Sequence, residues 1–284
     1  MGFAWHSQAQ NQETEPNFRL PDVPDALTAP EERAAYLALH YWDHFNFGDT
    51  SLITMPEITE QAFVDFISIL PYTEKAASAV DTLIRRASVE KEMLKHFISL
   101  SDKYLYEPLS PIHDEDMLIL FLRAQLANPA VDEAERAPCR YRLEMALKNR
   151  PGDIASDFVV RCRDHRQRKL SKIEADLLLL YFYDPDCETC RRVKEQLSAS
   201  SVINGTMDSG QLRLFSVCIE GKTPAWDNAS FPARWIDGCD EKLRIIREQL
   251  YDFKMMPTLY LLDREKRVIL KETSVEQIEE WLRK

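Results

Sequence analysis

The 284-residue chain lacks any apolar run long enough to cross a membrane. A membrane-spanning helix needs roughly eighteen or more consecutive apolar residues, so no integral membrane span is expected. Met1–Pro16 also lacks the apolar core segment of a signal peptide. With 45% hydrophobic and 29% charged residues, the composition is that of a soluble globular protein with room for two domains.

The chain also lacks a basic cluster, and its formal net charge is −11. Phosphate binding needs a basic face, so a nucleic-acid partner is excluded. The densest basic run consists of Arg161, Arg163, Arg166, Arg168 and Lys169. Because these basic residues alternate with other residues, the run is predicted to form the solvated side of a hairpin rather than a binding patch.

A second close pair of cysteines is absent. The only close pair is Cys187-Glu188-Thr189-Cys190, and the remaining cysteines are widely spaced singles: Cys139, Cys162, Cys218 and Cys239. A structural zinc site needs four ligands, so redox chemistry is favoured over metal binding. We therefore predict neither a metal nor a cofactor.

What is present is an apolar strand that runs into the Cys-x-x-Cys pair. Leu177–Tyr183 has no polar alternation, as in a strand covered on both faces. Asp184–Asp186 breaks it, and a helix is predicted over about 187–198. Both thiols then lie in its first turn, where free N–H groups favour a thiolate. Cys187 is predicted to be the exposed nucleophile, and Cys190 the thiol that resolves a mixed disulfide.

Three segments resemble the thioredoxin-like proteins of the TlpA/ResA type, which are envelope thiol–disulfide oxidoreductases of bacteria. These segments are Tyr181–Cys190, Met256-Pro257-Thr258 about 70 residues later, and Gly152–Phe158 upstream. The resemblance covers roughly residues 150–284. The N-terminal half resembles the helical domain of unknown function that precedes such a module in some Gram-negative envelope proteins.

The resemblance implies an α/β thioredoxin fold, preceded by an all-α helical domain. It implies exchange of disulfides with protein or peptide thiols, an upstream redox partner, and a periplasmic or cell-envelope location after removal of a signal peptide. In the family, a cis peptide precedes the proline that faces the cysteine pair. Met256 is then expected to contact a bound peptide, and Pro257 to shape the site.

The residues between the cysteines, Glu188 and Thr189, are expected to tune the pair. The carboxylate of Glu188 disfavours a second negative charge at Cys187, which indicates a pair more reducing than oxidising. Arg191 and Arg192 act in the opposite direction, but they can swing into solvent, where screening weakens their effect. The chain departs from the family in having Tyr181 near the place of a buried Asp, which leaves the proton acceptor unassigned.

Three domain ranges are predicted: 1–26 as a flexible lead-in, 27–149 as the helical domain, and 150–284 as the thioredoxin-like domain. After a first helix that ends before Gly48, helical patterns follow at about 57–70, 72–86, 88–106, 114–127 and 131–149. An irregular bundle is favoured over a helical repeat. His40 and His44 have the spacing of two metal ligands on one helix, but packing and capping roles are favoured.

In the second half, a hairpin is predicted near 158–170, a polar loop over Ser198–Gly210, a strand over Leu212–Ile219, and a strand pair after Pro257. Between Gly221 and Asp240, an aromatic loop carries Trp226, Phe231 and Trp235. These side chains either form a substrate-facing rim or anchor the loop to the core. The single cysteines are inert thiols or form one disulfide, for instance Cys218 with Cys239.

Two rival functions follow from the same residues. In the first, the protein is an envelope binding protein whose Cys pair is structural or acts as a sensor. The second is a thiol peroxidase on the same fold, but Cys187-Glu188-Thr189-Cys190 does not have the sequence context of those enzymes.

Overall fold

The computed structural model describes residues 18–284. The chain divides into two compact units, one ending at Cys139 and one comprising Arg140–Lys284. Of the predicted lead-in, residues 1–17 lie outside the described residues, whereas Phe18 stacks on Tyr41 with ring centroids 5.1 Å apart. Within the described range, no helix has both the length and the apolar character needed to cross a bilayer.

The first half of the described chain is helical, which confirms the predicted all-α domain. Its α-helices are α1 (Pro30–His40), α2 (Thr59–Ile69), α3 (Ala76–Ala87), α4 (Lys91–Ser101), α5 (Glu115–Ala127) and α6 (Glu133–Ala146). The boundary between the two compact units falls inside α6. The predicted helix over 88–106 is α4 followed by a π-helical turn at Asp102–Tyr106.

An aromatic cluster fills the core of this helical unit. The ring of Trp42 packs edge-on against Phe66 and Phe97, at centroid distances of 5.6 and 5.1 Å. Because α1 ends at His40, His44 lies beyond the helix and the two imidazoles do not share a helix face. Nδ1 of His40 instead lies 2.7 Å from a carboxylate oxygen of Asp43.

The second unit contains a seven-stranded mixed sheet, which with its helices gives the predicted thioredoxin fold. The strands are β1 (Val159–Cys162), β2 (Gln167–Lys169), β3 (Leu177–Tyr183), β4 (Leu212–Cys218), β5 (Ile236–Cys239), β6 (Thr258–Leu262) and β7 (Val268–Leu270). Their order across the sheet is β2-β1-β5-β4-β3-β6-β7. β3 pairs parallel to β4 and antiparallel to β6, so this apolar strand lies inside the sheet as its sequence predicts.

Helices cover both faces of the sheet. They are α7 (Glu188–Ala199), α8 (Ser201–Asp208), α9 (Pro224–Asn228), α10 (Arg244–Arg247) and α11 (Val275–Leu282). One apolar cluster contains Leu197 of α7, Ile203 of α8 and Ile278 of α11, while the cluster on the other face contains Ile245 of α10. Alternate residues of β3 enter the two clusters, which explains why its sequence is apolar throughout.

Two elements differ from the sequence prediction. The predicted polar loop over Ser198–Gly210 contains α8, because the Ser200 hydroxyl accepts a hydrogen bond from the Ile203 N–H and Ile203 is buried. The second is β5, which lies in the segment interpreted only as an aromatic loop. This strand pairs parallel to β4 and antiparallel to β1, and so connects the predicted hairpin to the rest of the sheet.

Candidate active site

The two close cysteines lie where β3 ends and α7 begins. Cys187 is the N-cap residue of α7, and its Sγ accepts a hydrogen bond from the backbone N–H of Cys190 at 3.2 Å. This N–H is one of those left unpaired in the first turn of a helix, and it stabilises negative charge at Cys187. The structure has both as free thiols. The geometry thus places the Cys187 sulfur at the positive end of α7.

The two thiols differ in accessibility. Cys187 is half-buried, whereas Cys190 is only 1% exposed. Burial raises the pKa of the Cys190 thiol well above its ordinary value, and the hydrogen bond with Cys187 acts in the same direction. An external disulfide can therefore reach Cys187, whereas Cys190 must lose a proton within the protein before it can attack.

The Met256-Pro257 segment lies against the cysteine pair. The Met256–Pro257 peptide is cis, and Pro257 directly precedes β6, the antiparallel neighbour of β3. This pairing places the carbonyl oxygen of Met256 3.9 Å from Sγ of Cys187, within reach of the thiol as a donor. The structure thus brings together the cysteines and the residues for which the sequence predicts peptide contact.

Glu188 and Thr189 lie on the exposed side of the first turn. Arg191 is exposed and forms ion pairs with both Glu188 and Glu195. The hydrogen bond from Arg191 lowers the pKa of Glu188. Thr189 accepts a hydrogen bond from Arg192 at 3.4 Å. Since Arg191 compensates the charge of Glu188, the electrostatic effect of Glu188 on its neighbours is reduced.

Two tyrosines of β3, Tyr181 and Tyr183, stack on each other and hydrogen-bond to residues around the site. Their rings stack at a centroid distance of 5.3 Å, with an angle of 9° between the planes. The hydroxyl of Tyr181 donates to the carbonyl of Cys190 at 2.6 Å, and that of Tyr183 donates to Asp237 at 3.0 Å. Tyr181 therefore fixes the first turn of α7 to the sheet.

A cavity of about 410 Å³ opens beside Cys190. Its walls include Tyr181, Asp184, Lys194 and Phe231. Asp184 acts on the Cys190 thiol in two ways: its backbone lowers the pKa of that thiol, and its carboxylate charge raises the pKa by a smaller effect. The exposed Asp186 also lines the cavity, but of these two carboxylates only that of Asp184 acts on the pKa of Cys190.

The aromatic loop is anchored to the core, which is one of the two roles that its sequence left open. Trp226 and Trp235 are 6% and 7% exposed, and they anchor the loop in the apolar cluster. Phe231 lies at the cavity beside Cys190, with its ring 5.0 Å from that of Tyr183. The ammonium group of Lys194 lies over the Phe231 ring, 5.0 Å from its centroid.

Comparisons with known proteins agree with this fold. A family model described as a domain of unknown function (DUF5106) matches residues 4–149. The crystal structure of a thioredoxin-like protein from Bacteroides caccae is 39% identical in sequence, with a TM-score of 0.86. The similarity covers 95% of this chain and 99% of that one. The chain belongs to these thioredoxin-like proteins with a DUF5106 domain.

Other solved structures resemble this thioredoxin-like protein over about half its length. The C-terminal domain of an uncharacterized protein from Bacteroides fragilis is 33% identical, covering 48% of this chain and 99% of that one with a TM-score of 0.47. The thioredoxin domain of a thiol-disulfide oxidoreductase from Bacteroides vulgatus is 17% identical, covering 47% and 96% with a TM-score of 0.42. No curated protein matches the chain significantly.

Sequence reasoning missed a buried polar network in the thioredoxin-like protein. Asp237 of β5 accepts hydrogen bonds from Arg163 at 2.6 Å, Ser216 at 2.7 Å and Tyr183. Burial raises the pKa of Asp237, and these three donors act in the opposite direction. Arg163 thus departs from the predicted solvated hairpin face. A lone serine in the apolar strand β4 was the available signal.

Proposed function

We propose that the protein is a thiol–disulfide oxidoreductase that exchanges disulfides with protein or peptide thiols. The main observation in support is that the two cysteines at the start of α7 differ in accessibility. Cys187 is accessible and accepts a hydrogen bond from the Cys190 N–H, whereas Cys190 is buried. The assignment is supported by membership of the thioredoxin-like proteins. Cys187 and Cys190 carry the chemistry, and no cofactor takes part.

The exchange runs in two displacements. The Cys187 thiolate attacks one sulfur of the substrate disulfide, and the other sulfur leaves as a thiolate. The Cys190 thiolate then attacks Sγ of Cys187, which releases the first substrate sulfur and leaves a Cys187–Cys190 disulfide. Two electrons have passed to the substrate, and a dithiol of an upstream redox partner restores the pair.

Asp184 is proposed as the proton acceptor of the second displacement. Burial keeps Cys190 protonated, and Asp184 lines the same cavity and acts on this thiol. The backbone around Asp184 supports its position, since Oδ1 accepts the N–H of Asp186 at 2.8 Å. The central strand has Tyr181 near the place of the buried Asp of the family. The Asp184 carboxylate is therefore the group proposed to accept the proton.

Met256 and Pro257 are proposed to bind the substrate peptide. The Met256 carbonyl beside Cys187 offers a backbone acceptor, to which an extended peptide can add as a strand. Glu188 and Thr189 tune the pair. The part of the Glu188 charge that Arg191 leaves uncompensated disfavours a thiolate at Cys187, so the exchange runs in the reducing direction. We place the protein in the periplasm or cell envelope and propose that it is of the TlpA/ResA type.

Reduction of insulin by the full-length protein with a dithiol donor tests the function. Wild type is expected to accelerate the reaction, and Cys187→Ser is expected to show only the uncatalysed rate. The matched control is Cys139→Ser/Cys162→Ser, which removes two buried thiols outside the pair and is expected to retain most of the activity. An inert wild-type protein would favour the binding-protein alternative.

A further inference from the structure

A second pair of cysteines lies at the carboxyl edge of the same sheet. Cys218 is the last residue of β4 and Cys239 the last of β5, and the two are register partners in the parallel pairing. Both belong to the apolar cluster under α7 and α11, so their side chains share one face of the sheet. Both are free thiols in the structure, and Sγ of Cys218 donates to the carbonyl of Gly221 at 3.6 Å.

The backbone spacing at this pair suits a disulfide. Neighbouring strands lie about 4.8 Å apart, and disulfide-bonded cysteines have Cα atoms roughly 4.4–6.8 Å apart. The other single cysteines are not in position to compete. Cys162 pairs with Gly238 rather than Cys239 and packs in the opposite apolar cluster, and Cys139 belongs to the other compact unit.

Burial separates this pair from the one at α7. Cys218 and Cys239 are both 0% exposed, whereas Cys187 is half-buried. The neighbouring Cys218 thiol and the burial of the site both raise the pKa of Cys239. Because exchange needs a thiolate and access to it, the folded pair is slow to react with external thiols and disulfides. Such a pair is suited to a structural role.

We propose that Cys218 and Cys239 form an intrachain structural disulfide as the protein folds in the presence of a disulfide oxidant. The two thiols give up two protons and two electrons, and the two sulfurs of the oxidant leave as thiols. Bond formation precedes burial of the pair, which then shields the disulfide from reductants. This inference is independent of the proposed function, because it does not involve Cys187 or Cys190.

The bridge would join the two ends of the aromatic loop. Residues 219–238 lie between the cysteines and include α9, Phe231 and Asp237. Phe231 lines the cavity beside Cys190, and Asp237 binds Tyr183. Closing this loop with a disulfide reduces the conformational entropy of the unfolded chain. In the folded protein, the disulfide restrains the segment that carries Phe231 and Asp237.

The test uses the full-length variant Cys187→Ser/Cys190→Ser, which leaves four thiols. The reduced, denatured protein is refolded with a mixture of oxidised and reduced glutathione, and its free thiols are then alkylated under denaturing conditions. Two free thiols are expected. Tryptic digestion is expected to yield peptide 214–222 linked to peptide 235–242. Protein refolded in the presence of excess reductant, which keeps the disulfide from forming, should have a Tm lower by roughly 5–10 °C.

Two control variants in the same background sharpen the result. Adding Cys139→Ser/Cys162→Ser should preserve the linked peptides, whereas adding Cys218→Ala should abolish them and leave three free thiols. Four free thiols after refolding, or linkage through Cys139 or Cys162, would overturn the proposal. If a variant does not refold, peptide mapping of oxidatively refolded wild type decides: absence of the 214–222 to 235–242 link refutes it.

Discussion

The hydroxyl group of Tyr181 donates a hydrogen bond to the backbone carbonyl of Cys190 across 2.6 Å. Burial raises the pKa of Tyr181, which keeps the hydroxyl protonated and therefore a hydrogen-bond donor. The sheet thereby holds the residue that we propose attacks the mixed disulfide. Tyr181 is a positioning residue in this account, since it acts through the backbone of Cys190.

Tyr181→Phe should lower the free energy of unfolding by about 1 kcal/mol, because the substitution removes one hydrogen bond between uncharged groups. Urea denaturation followed by far-ultraviolet circular dichroism measures this loss. Tyr183→Phe is the matched comparison on the same strand. It removes a bond to the carboxylate of Asp237 and should cost about 1.5–3 kcal/mol. A larger loss for Tyr181→Phe than for Tyr183→Phe would contradict the assignment of an uncharged acceptor to the Tyr181 hydroxyl and a carboxylate acceptor to the Tyr183 hydroxyl.

Arg163→Gln should destabilise the protein by about 2–3 kcal/mol at pH 8, because it leaves the Asp237 carboxylate buried without its counter-charge. This value is below that of a fully buried pair, since the Arg163 side chain is 33% exposed. At pH 5 the loss should be smaller. Unfolding in urea at both pH values, for variant and wild type, gives the difference.

The direction of this pH dependence follows from the raised pKa of Asp237. Removing Arg163 raises that pKa further, while the unfolded chain keeps the ordinary value of about 4. The folded variant then retains a proton that the unfolded chain releases, so stability falls as pH rises from about 4 towards the folded pKa. Arg161→Gln is the control, since Arg161 pairs with the half-exposed Glu241 and should cost under about 1 kcal/mol. An equal loss at both pH values would contradict the account of Asp237.

Asp184→Asn should slow the resolving step and leave the first attack unchanged, because the variant lacks the carboxylate that takes the proton of Cys190. The amide oxygen can still accept the N–H of Asp186, so the turn is conserved. Rapid quenching with acid and mass spectrometry should show a mixed disulfide at Cys187 that persists at least several-fold longer than in wild type. Asp186→Asn removes an equal charge from the same turn and should resolve at the wild-type rate. Equal lifetimes in both variants would remove Asp184 from the mechanism.

A fragment of residues 140–284 should be more stable than one of residues 150–284. Side chains of Lys148, Asn149 and Lys271 make hydrogen bonds that the shorter fragment lacks: Lys148 to the Gln249 carbonyl, Asn149 to Leu250 and Ser156, and Lys271 to the carbonyls of Ala146 and Lys148. Their loss should cost roughly 2–4 kcal/mol. Thermal unfolding of both fragments measures the difference, and equal Tm values would contradict it. Both fragments are predicted to retain redox activity.

In the second unit, the sequence predicts the central strand β3 and the start of α7 better than it predicts β5. The apolar run Leu177–Tyr183 can be buried on both faces only within a sheet, and a Cys-x-x-Cys pair after it indicates a helix start. β5 was missed because Asp237, Gly238 and Cys239 have neither apolar alternation nor β-branched side chains. Its place is set by pairing with β1 and β4, which are distant in sequence.

The polar contacts around the site could not be predicted for a related reason. In the sequence, nothing distinguishes Arg163 from the other arginines of the hairpin, which were predicted to be solvated. Only the pairing of β1 with β5 places it against Asp237. The interpretation of 198–210 as a loop failed because Gly205 and Thr206 are poor helix formers. The cap at Ser200 and the burial of Ile203 outweigh that low propensity.

Trapping of a mixed disulfide on the Cys190→Ser variant tests the division of roles most directly. The full-length variant is incubated with a peptide disulfide, alkylated and digested with trypsin, which releases peptide 173–191 with Cys187 inside it. The account predicts a stable adduct of half the peptide disulfide on Cys187, and no adduct on wild type, where Cys190 resolves it. Absence of the adduct, or an adduct on any other cysteine, would contradict the claim that Cys187 attacks and Cys190 resolves.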